Sequence, residues 1–523
     1  MSQHQNVAEY LLDGKEDARQ ALLTLQGGHS YGELRSASAE FAAYLVRVGG
    51  QQGDRAILVS DNSFFWVAAY LGILRAGLVA VPLPPTISQQ DYECTLGATQ
   101  ARFAFLQSGF AARRGHRFSA GSLVTDTAPT QKEGTVSAVS LTQLRGEMAS
   151  GNVPLPQVHK SDLAALMFTS GSTGKPRGVM VSHANIMANT DSIIQYLGLT
   201  EKDRIMTVLP FHYCFGASLL HTHLRAGGIL VLDRRFMYPE KVLERMQETE
   251  CTGFAGVPSH YQILVRKTSL RKKPFPHLRY VQQAGGYLAP VFLRELRAAL
   301  PAVRVYVMYG QTEATARLSF LPPEFLDTKL GSVGKGIPGV RLSVLKEDGR
   351  EAGAGEIGEI VAEGENVTQG YWRDPEGTAA SFRAGKLYTG DQATVDGDGF
   401  LYIVGRSRDF LKCGGKRIGC KQLEQRLLEF DGLVEAAVIS VPDEIMGEAV
   451  KAFVVPRQGF DGVEKRLQVF CKERLPFELV PREIVVLAAL PKNHAGKVMK
   501  EQLRAVGEPV LHPQETAKVH EIG

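Results

Sequence analysis

A repeating exchange of strand and helix patterns constrains this chain more than any other feature. Ala56-Ile57-Leu58-Val59 is a short apolar strand, Phe64 to Arg75 reads as a helix, and Val79-Ala80-Val81-Pro82-Leu83 reads as the next strand. Ahead of them, Leu34, Phe41 and Leu45 mark one helical face between Tyr31 and Val48. A β-α-β rhythm implies parallel strands joined by helical crossovers, so the fold class is α/β. The rhythm returns with a strand at 163–168, a helix at 184–195 and a strand at 229–232.

The texture changes near residue 330. Glycines become dense and short β-like runs appear at 341–345, 358–362 and 400–404, as in a β-rich subdomain. Residues 406–417 are basic and glycine-containing, as a hinge is. A compact α+β pattern follows, with Leu423, Leu427 and Leu428 on one helix and Val463, Leu467, Phe470 and Leu475 on another. The expected organisation is a large N-terminal domain over 1–405, made of two α/β subdomains and the β-rich one. A hinge at 406–417, a small mobile C-terminal lid over 418–505 and a loose tail at 506–523 complete it.

Composition removes several classes. Hydrophobic residues at 44% and charged residues at 22% exclude a disordered or fibrous chain. A net charge of +4 gives no support for nucleic-acid binding. The cysteines at 94, 214, 251, 413, 420 and 471 form no close C-x-x-C pair, which suits reduced thiols and a cytoplasmic setting. The start of the chain is polar, so no secretory signal is expected. The longest apolar run, Phe64 to Leu74, is shorter than the roughly 20 residues of a spanning helix, and reads as buried.

The densest chemistry lies in Thr169-Ser170-Gly171-Ser172-Thr173-Gly174-Lys175, directly after a strand pattern. Small residues let backbone N–H groups converge on an anion, hydroxyls add donors, and Lys175 adds a point charge. A polyphosphate is the natural ligand. Pro176 after the lysine departs from a Walker loop, which needs a hydroxyl residue there. Further on, Tyr309-Gly310-Gln311-Thr312-Glu313 follows an apolar run. A hydroxyl beside a carboxylate suits phosphate contact together with magnesium, which takes hard oxygen donors and few protein ligands.

The stretch TSGSTGKPRGV, with VSHANI after it, resembles the signature of the adenylate-forming superfamily. That superfamily includes acyl- and aryl-CoA synthetases, firefly-type luciferases and nonribosomal peptide adenylation domains. The likeness runs in order from about residue 20 to 505. It implies that Thr312 contacts the α-phosphate, Glu313 holds magnesium and Tyr309 packs on adenine, with Gly285 and Gly286 beside it. It also implies that Asp391 and Arg406 bind the ribose, that Ile403 lies near the adenine, and that Arg417 approaches phosphate. Arg408 stands at the hinge position, where many relatives have aspartate and others lysine. Gly414 and Gly415 fall where CoA-using relatives admit the pantetheine chain. Lys497, in Gly496-Lys497, matches the catalytic lysine, with Lys492 and Lys500 as competitors.

The likeness places the acid pocket at 209–216. His212 stands near the substrate carboxylate, or gates the pocket, or is simply buried. Tyr213, Phe215, Gly256 and Gly285 form walls. No aspartate lies between 209 and 232 to hold an ammonium group, which favours an uncharged acid, fatty or aromatic. The implied reaction joins the acid to AMP with release of pyrophosphate, then transfers the acyl group to a thiol. ATP, magnesium and coenzyme A are the expected partners. A carrier-protein phosphopantetheine arm is the alternative acceptor, and an amino-acid-activating enzyme or a catalytically silent nucleotide-binding protein are the alternative classes.

Overall fold

The structure is a computed structural model. It describes residues 4–114, 118, 121–127, 138–140, 143–144, 153–169, 176–406, 410–413, 416–443, 447–492 and 498–505. The chain divides into two compact units, with the boundary between Arg408 and Asp409.

The larger unit holds three sheets. A seven-stranded sheet runs in the order Val139–Ser140, Leu123–Thr125, Phe103–Leu106, Arg55–Val59, Val79–Pro82, Leu163–Thr169, Arg177–Ser182. Every pairing in it is parallel except the last. A nine-stranded sheet carries a parallel centre, in the order Arg304–Tyr309, Tyr280–Gln283, Gly253–Gly256, Arg204–Thr207, Ile229–Leu232 and Gln20–Leu23. The third sheet is antiparallel and includes Val340–Leu345, Gly358–Gly364, Lys386–Val395 and Leu401–Arg406.

Two details depart from the simple β-α-β reading. The Leu163–Thr169 strand returns through an antiparallel partner, Arg177–Ser182, before the His183–Leu197 helix begins. Ile229–Leu232 then belongs to the other large sheet. The segment that starts on one sheet therefore ends on the next, and the helices between them share one core. Residues from both sheets and from the Phe64–Arg75, His183–Leu197 and Cys214–Ala226 helices form a single buried cluster.

Local signals explain the helices. Ser30 accepts from Glu33 N while the Glu33 carboxylate accepts from Ser30 N, which caps Tyr31–Arg47 at both orphan donors. The Phe64–Arg75 helix is capped by Ser63 and buried continuously from Phe65 to Leu74. A helix apolar on all sides belongs between layers. Among the described residues no helix is long and apolar enough to cross a membrane.

The smaller unit is built on the long hairpin Leu433–Asp443 and Gly447–Pro456, with Glu483–Val486 parallel to its second arm. Ala437, Ile439, Phe453, Val455, Leu490 and Leu503 form its core.

Candidate active site

Of three neighbouring parallel strands of the nine-stranded sheet, two end level with one another and the third runs two residues further, to Tyr309. Gly256 pairs with Gln283, and Gln283 with Val307. The residues beyond those ends are Val257, Ala284 to Tyr287 and Gly310 to Glu313, so Gly285, Gly286, Gly310, Gln311, Thr312 and Glu313 among the expected site residues share one edge. Open parallel sheets bind ligands at this carboxyl edge, where loops are free of the ladder. Gly285 adopts φ +80, and the Gln283 side-chain amide donates to Gly286 O at 2.7 Å, which shapes the loop.

The turn after Tyr309 is tightly determined. A Cβ on Gly310 would lie 2.0 Å from Ala316 O, so the chain folds back on itself only with glycine there. Thr315 has φ +65 and ψ −56, and Ala316 N donates to Ala314 O at 2.7 Å. This is a three-residue γ-turn of the rare left-handed kind, strained for a β-branched residue. Its neighbours hold it. Thr315 Oγ1 donates to Asn366 O at 2.7 Å, and the Asn366 amide donates to Arg317 O at 2.8 Å and Ala314 O at 3.3 Å. Gln311 keeps its Nε2 without a hydrogen-bond partner among the described residues.

Glu313 is half-buried. Thr368 N donates to its main-chain oxygen at 3.0 Å, and Tyr371 Oη donates to its Oε1 at 2.8 Å. Burial, then the Glu313 charge, push the Tyr371 phenol up to about 12, so it remains a donor at neutral pH. Residues 369–372 also pair with the Arg177–Ser182 strand: Met180 N donates to Gly370 O, and Trp372 N to Gly178 O. Tyr371 thus links Glu313 to the strand that follows the 169–175 loop. Sequence reasoning missed Tyr371 and Asn366. The Gly370-Tyr371-Trp372 cluster in an otherwise polar stretch was the available signal.

The ribose and adenine candidates also meet. Tyr309 Oη donates to Asp391 Oδ2 at 2.8 Å, and both residues are buried. Asp391 and Arg406 are cross-strand partners. A bulge between Gln392 and Ala393 sets the next pair as Ala393 with Ile403, and Ile403 packs on the cluster that contains Tyr309.

The acid-pocket candidates lie at the start of the Cys214–Ala226 helix. Asn62 pins the loop before it, donating to Leu209 O at 2.8 Å and accepting from Phe211 N at 2.9 Å. A Cβ on Gly216 would lie 2.0 Å from Pro210 O, which explains the glycine. His212 is buried with its ring 4.5 Å from that of Tyr213, and Phe215 is buried as well. Cys214 accepts from Thr312 Oγ1 at 3.5 Å, so the acid segment touches the phosphate candidate. A narrow cavity beside this contact is lined by Trp66, Met167, Phe211, Cys214, His221 and Thr315.

Thr169 closes its strand half-buried. Ser170 to Lys175, Arg408, Gly414, Gly415 and Lys497 lie outside the described residues. Arg417, in the smaller unit, sits on the Lys416–Gly419 strand opposite Lys412. The two competitors of Lys497 are engaged within that unit: Lys492 Nζ lies 2.5 Å from Glu435 Oε2, and Lys500 Nζ lies 2.6 Å from Glu424 Oε1.

Comparison with known proteins agrees in scale with these features. The AMP-binding enzyme family matches residues 14–372, and the AMP-binding enzyme C-terminal domain matches residues 422–497. The oxalate–CoA ligase of Arabidopsis thaliana is 30% identical over 477 residues, covering 90% of this chain and 92% of that protein. The o-succinylbenzoate CoA synthetase of Bacillus subtilis, solved with its acyl-adenylate intermediate, is similar with TM-score 0.81 and 27% identity, covering 96% of this chain and 99% of that one. The same enzyme with ATP and a magnesium ion matches with TM-score 0.81 and 28% identity, again over 96% and 99%.

Proposed function

The chain belongs to the AMP-binding enzyme family, and from that premise we propose how its residues divide the work. It is an AMP-forming acid–thiol ligase. A carboxylate oxygen of the acid attacks the α-phosphorus of ATP, the bond to the β-phosphate oxygen breaks, and pyrophosphate leaves. The sulfur of coenzyme A then attacks the acyl carbon and AMP departs with the carboxylate oxygen, the thiol proton going to solvent.

The obstacle to the first step is repulsion between a carboxylate and a polyanion. Fixed donors and cations offset it as charge moves, so alignment and electrostatics dominate over acid–base work. The 169–175 loop takes the β- and γ-phosphates, Thr312 the α-phosphate, and Asp391 with Arg406 the ribose. Tyr309 and Ile403 flank the adenine, with Gly285 and Gly286 giving it room. Arg417 approaches the phosphates, and Gly414 with Gly415 admit the pantetheine chain. His212 stands by the acid carboxylate.

Glu313 fits magnesium. It is a hard, half-exposed carboxylate whose Oε1 already holds one hydrogen bond, and among the described residues no cluster of three or more ligating side chains exists. Magnesium is bound in this sparse way when substrate phosphates complete the shell, and it would supply charge neutralisation there. Tyr371 orients the carboxylate.

The observation that carries this reading is the convergence at one sheet edge, where Asp391 bonds to Tyr309 while Thr312 touches the acid segment at Cys214. Lys497 is the proposed bridge between acid carboxylate and α-phosphate, and the engagement of Lys492 and Lys500 elsewhere favours it. Pyrophosphate exchange across fatty, aromatic and amino acids, followed by CoA or carrier protein as acceptor, tests the scheme. Exchange is expected with fatty or aromatic acids and transfer to CoA. Exchange with amino acids alone, or transfer to carrier protein alone, overturns the corresponding part. Lys497→Ala should cut acyl-AMP formation at least about a hundredfold while sparing thioester formation from supplied acyl-AMP. Equal loss of both half-reactions counts against the assigned role.

A further inference from the structure

The turn that follows the Ile229–Leu232 strand holds two large apolar side chains in water. Met237 is 90% exposed and Tyr238 67%, and among the described residues they are the one consecutive pair of exposed large apolar side chains. A fixed frame puts them there. The Asp233 carboxylate is buried and accepts from Arg235 N at 2.8 Å, Nε at 3.1 Å and Nη2 at 2.6 Å. Tyr238 N donates to Arg235 O at 2.7 Å, which closes a four-residue turn. Phe236 goes inward, its ring 4.2 Å from that of His260. Met237 and Tyr238 stay outside.

Cations surround the pair. Arg234 precedes it and Lys241 follows it, both exposed. Residues 266–273 carry Arg266, Lys267, Arg271, Lys272 and Lys273 with no acidic residue between them. That segment is tied to the first turn of the Pro239–Glu248 helix, because Glu240 accepts from Ser269 Oγ at 2.7 Å and lies 3.2 Å from Lys273 Nζ. Lys267 and Lys272 are exposed and form no ion pair among the described residues. The carboxylates nearby are engaged: Asp61 pairs with Arg234, Glu244 with Lys241, and Glu295 with Arg266 and Arg271.

An apolar tip ringed by lysine and arginine complements the headgroup layer of an anionic bilayer. The cations meet lipid phosphates, and the apolar side chains reach the boundary with the acyl chains. Tyrosine suits that depth, since its ring is apolar and its hydroxyl stays wet. A stable protein interface asks instead for a contiguous apolar patch that excludes charge from its centre.

We propose that this surface docks the protein on an anionic membrane, with Met237 and Tyr238 entering the headgroup layer. The Ile229–Leu232 strand runs parallel to those ending at Gly256 and Gln283, so the turn leaves the same carboxyl edge as Val257 and Gly285. Phe236 touches His260, on the helix that begins at Pro258. Docking therefore brings that edge of the sheet to the lipid surface. This goes beyond the ligase reading and does not depend on it.

The test is flotation of the full-length protein with phosphatidylcholine vesicles, with and without phosphatidylglycerol as about a third of the lipid, at low and high salt. Binding to the anionic vesicles should exceed binding to the neutral ones at least about tenfold and fall as salt rises. Met237→Ser combined with Tyr238→Ser should weaken it about tenfold, and Lys267→Gln combined with Lys272→Gln about as much. All four positions are exposed, so urea midpoints should stay at the wild-type value. Flotation with neither vesicle, equal flotation with both, or binding unchanged in the Met237 and Tyr238 double variant overturns the proposal. A mass that doubles with protein concentration in the wild type but not in that variant assigns the surface to a second copy, and overturns it too. Flotation is read without ATP or acid, so a failure of pyrophosphate exchange strikes the ligase reading and leaves the vesicle result to decide the surface.

Discussion

The two edges of the nine-stranded sheet treat buried polar groups in opposite ways. At the amino edge, Asp203, Thr252 and Arg279 each stand one residue before a strand, on three neighbours. Asp203 is 1% exposed and saturated: it accepts from Thr200 N at 2.8 Å, Thr252 Oγ1 at 2.7 Å, and Arg279 at 2.7 and 3.1 Å. Burial alone would raise its carboxyl, yet these hydrogen bonds outweigh burial and hold it below the usual range. At the carboxyl edge, Gln311 Nε2 and Arg317 Nη2 have no hydrogen-bond partner among the described residues, and Thr315 is strained. Satisfied groups stabilise, and a buried group left with capacity asks for an explanation, which a ligand at this edge would supply. The same ladder thus has a structural end and a working end.

The largest expected effect lies at the working end. Glu313→Gln should lower kcat for acyl-AMP formation about a hundred- to a thousandfold, because the carboxylate proposed to hold magnesium is lost. Its urea midpoint should stay close to that of the wild type. Comparable loss of stability would place Glu313 among the structural groups and erase the contrast. Next comes Asp203→Ala, expected to destabilise the fold by about 3 kcal/mol by stranding Thr252, Thr200 N and Arg279. Exchange activity per folded molecule should be unchanged, and a specific loss of turnover would show that the amino edge reaches the chemistry.

The smallest effect per group concerns acid. Burial pulls His221 down to about 3 and His223 to about 4. Both are neutral in the fold: His221 shares a hydrogen bond with Tyr70 Oη, and His223 with Tyr280 Oη, each at 3.0 Å. The unfolded chain takes up these protons near pH 6.5, whereas the folded one does not until far lower. Stability is therefore constant above neutrality and falls as pH drops from about 6.5 towards 4, by about 2 kcal/mol per histidine at pH 5. Denaturant midpoints at pH 7 and pH 5 measure it. An unmoved midpoint would mean that the imidazoles are already charged in the fold.

Much of this was legible beforehand because it is local. The strand at 56–59, the helix from Phe64 and the strand at 79–82 follow from the apolar pattern, and the structure adds Ser63 as the helix cap. Tyr309 and Asp391 were named separately from resemblance, and the structure joins them across 82 residues of sequence. What escaped is non-local. The Tyr371–Glu313 bond spans 58 residues, and the Asp203–Arg279 pair spans 76. Nothing in either neighbourhood announces its partner. Arg317 lay in plain view after Thr312-Glu313-Ala314-Thr315-Ala316, but a lone arginine reads as solvated until burial is known. The return strand Arg177–Ser182 was hidden because Pro176 and the glycines before it look like loop alone.

The γ-turn at Thr315 has a consequence for portability. Its conformation is borrowed from Asn366, whose carbonyl takes the threonine hydroxyl and whose amide ties down the carbonyls on either side. Residues 309–317 are therefore not a cassette. A chimera that imported them from a relative without 366–371 would receive the letters of the motif and lose its shape, so the heritable module here is two distant segments that must travel together.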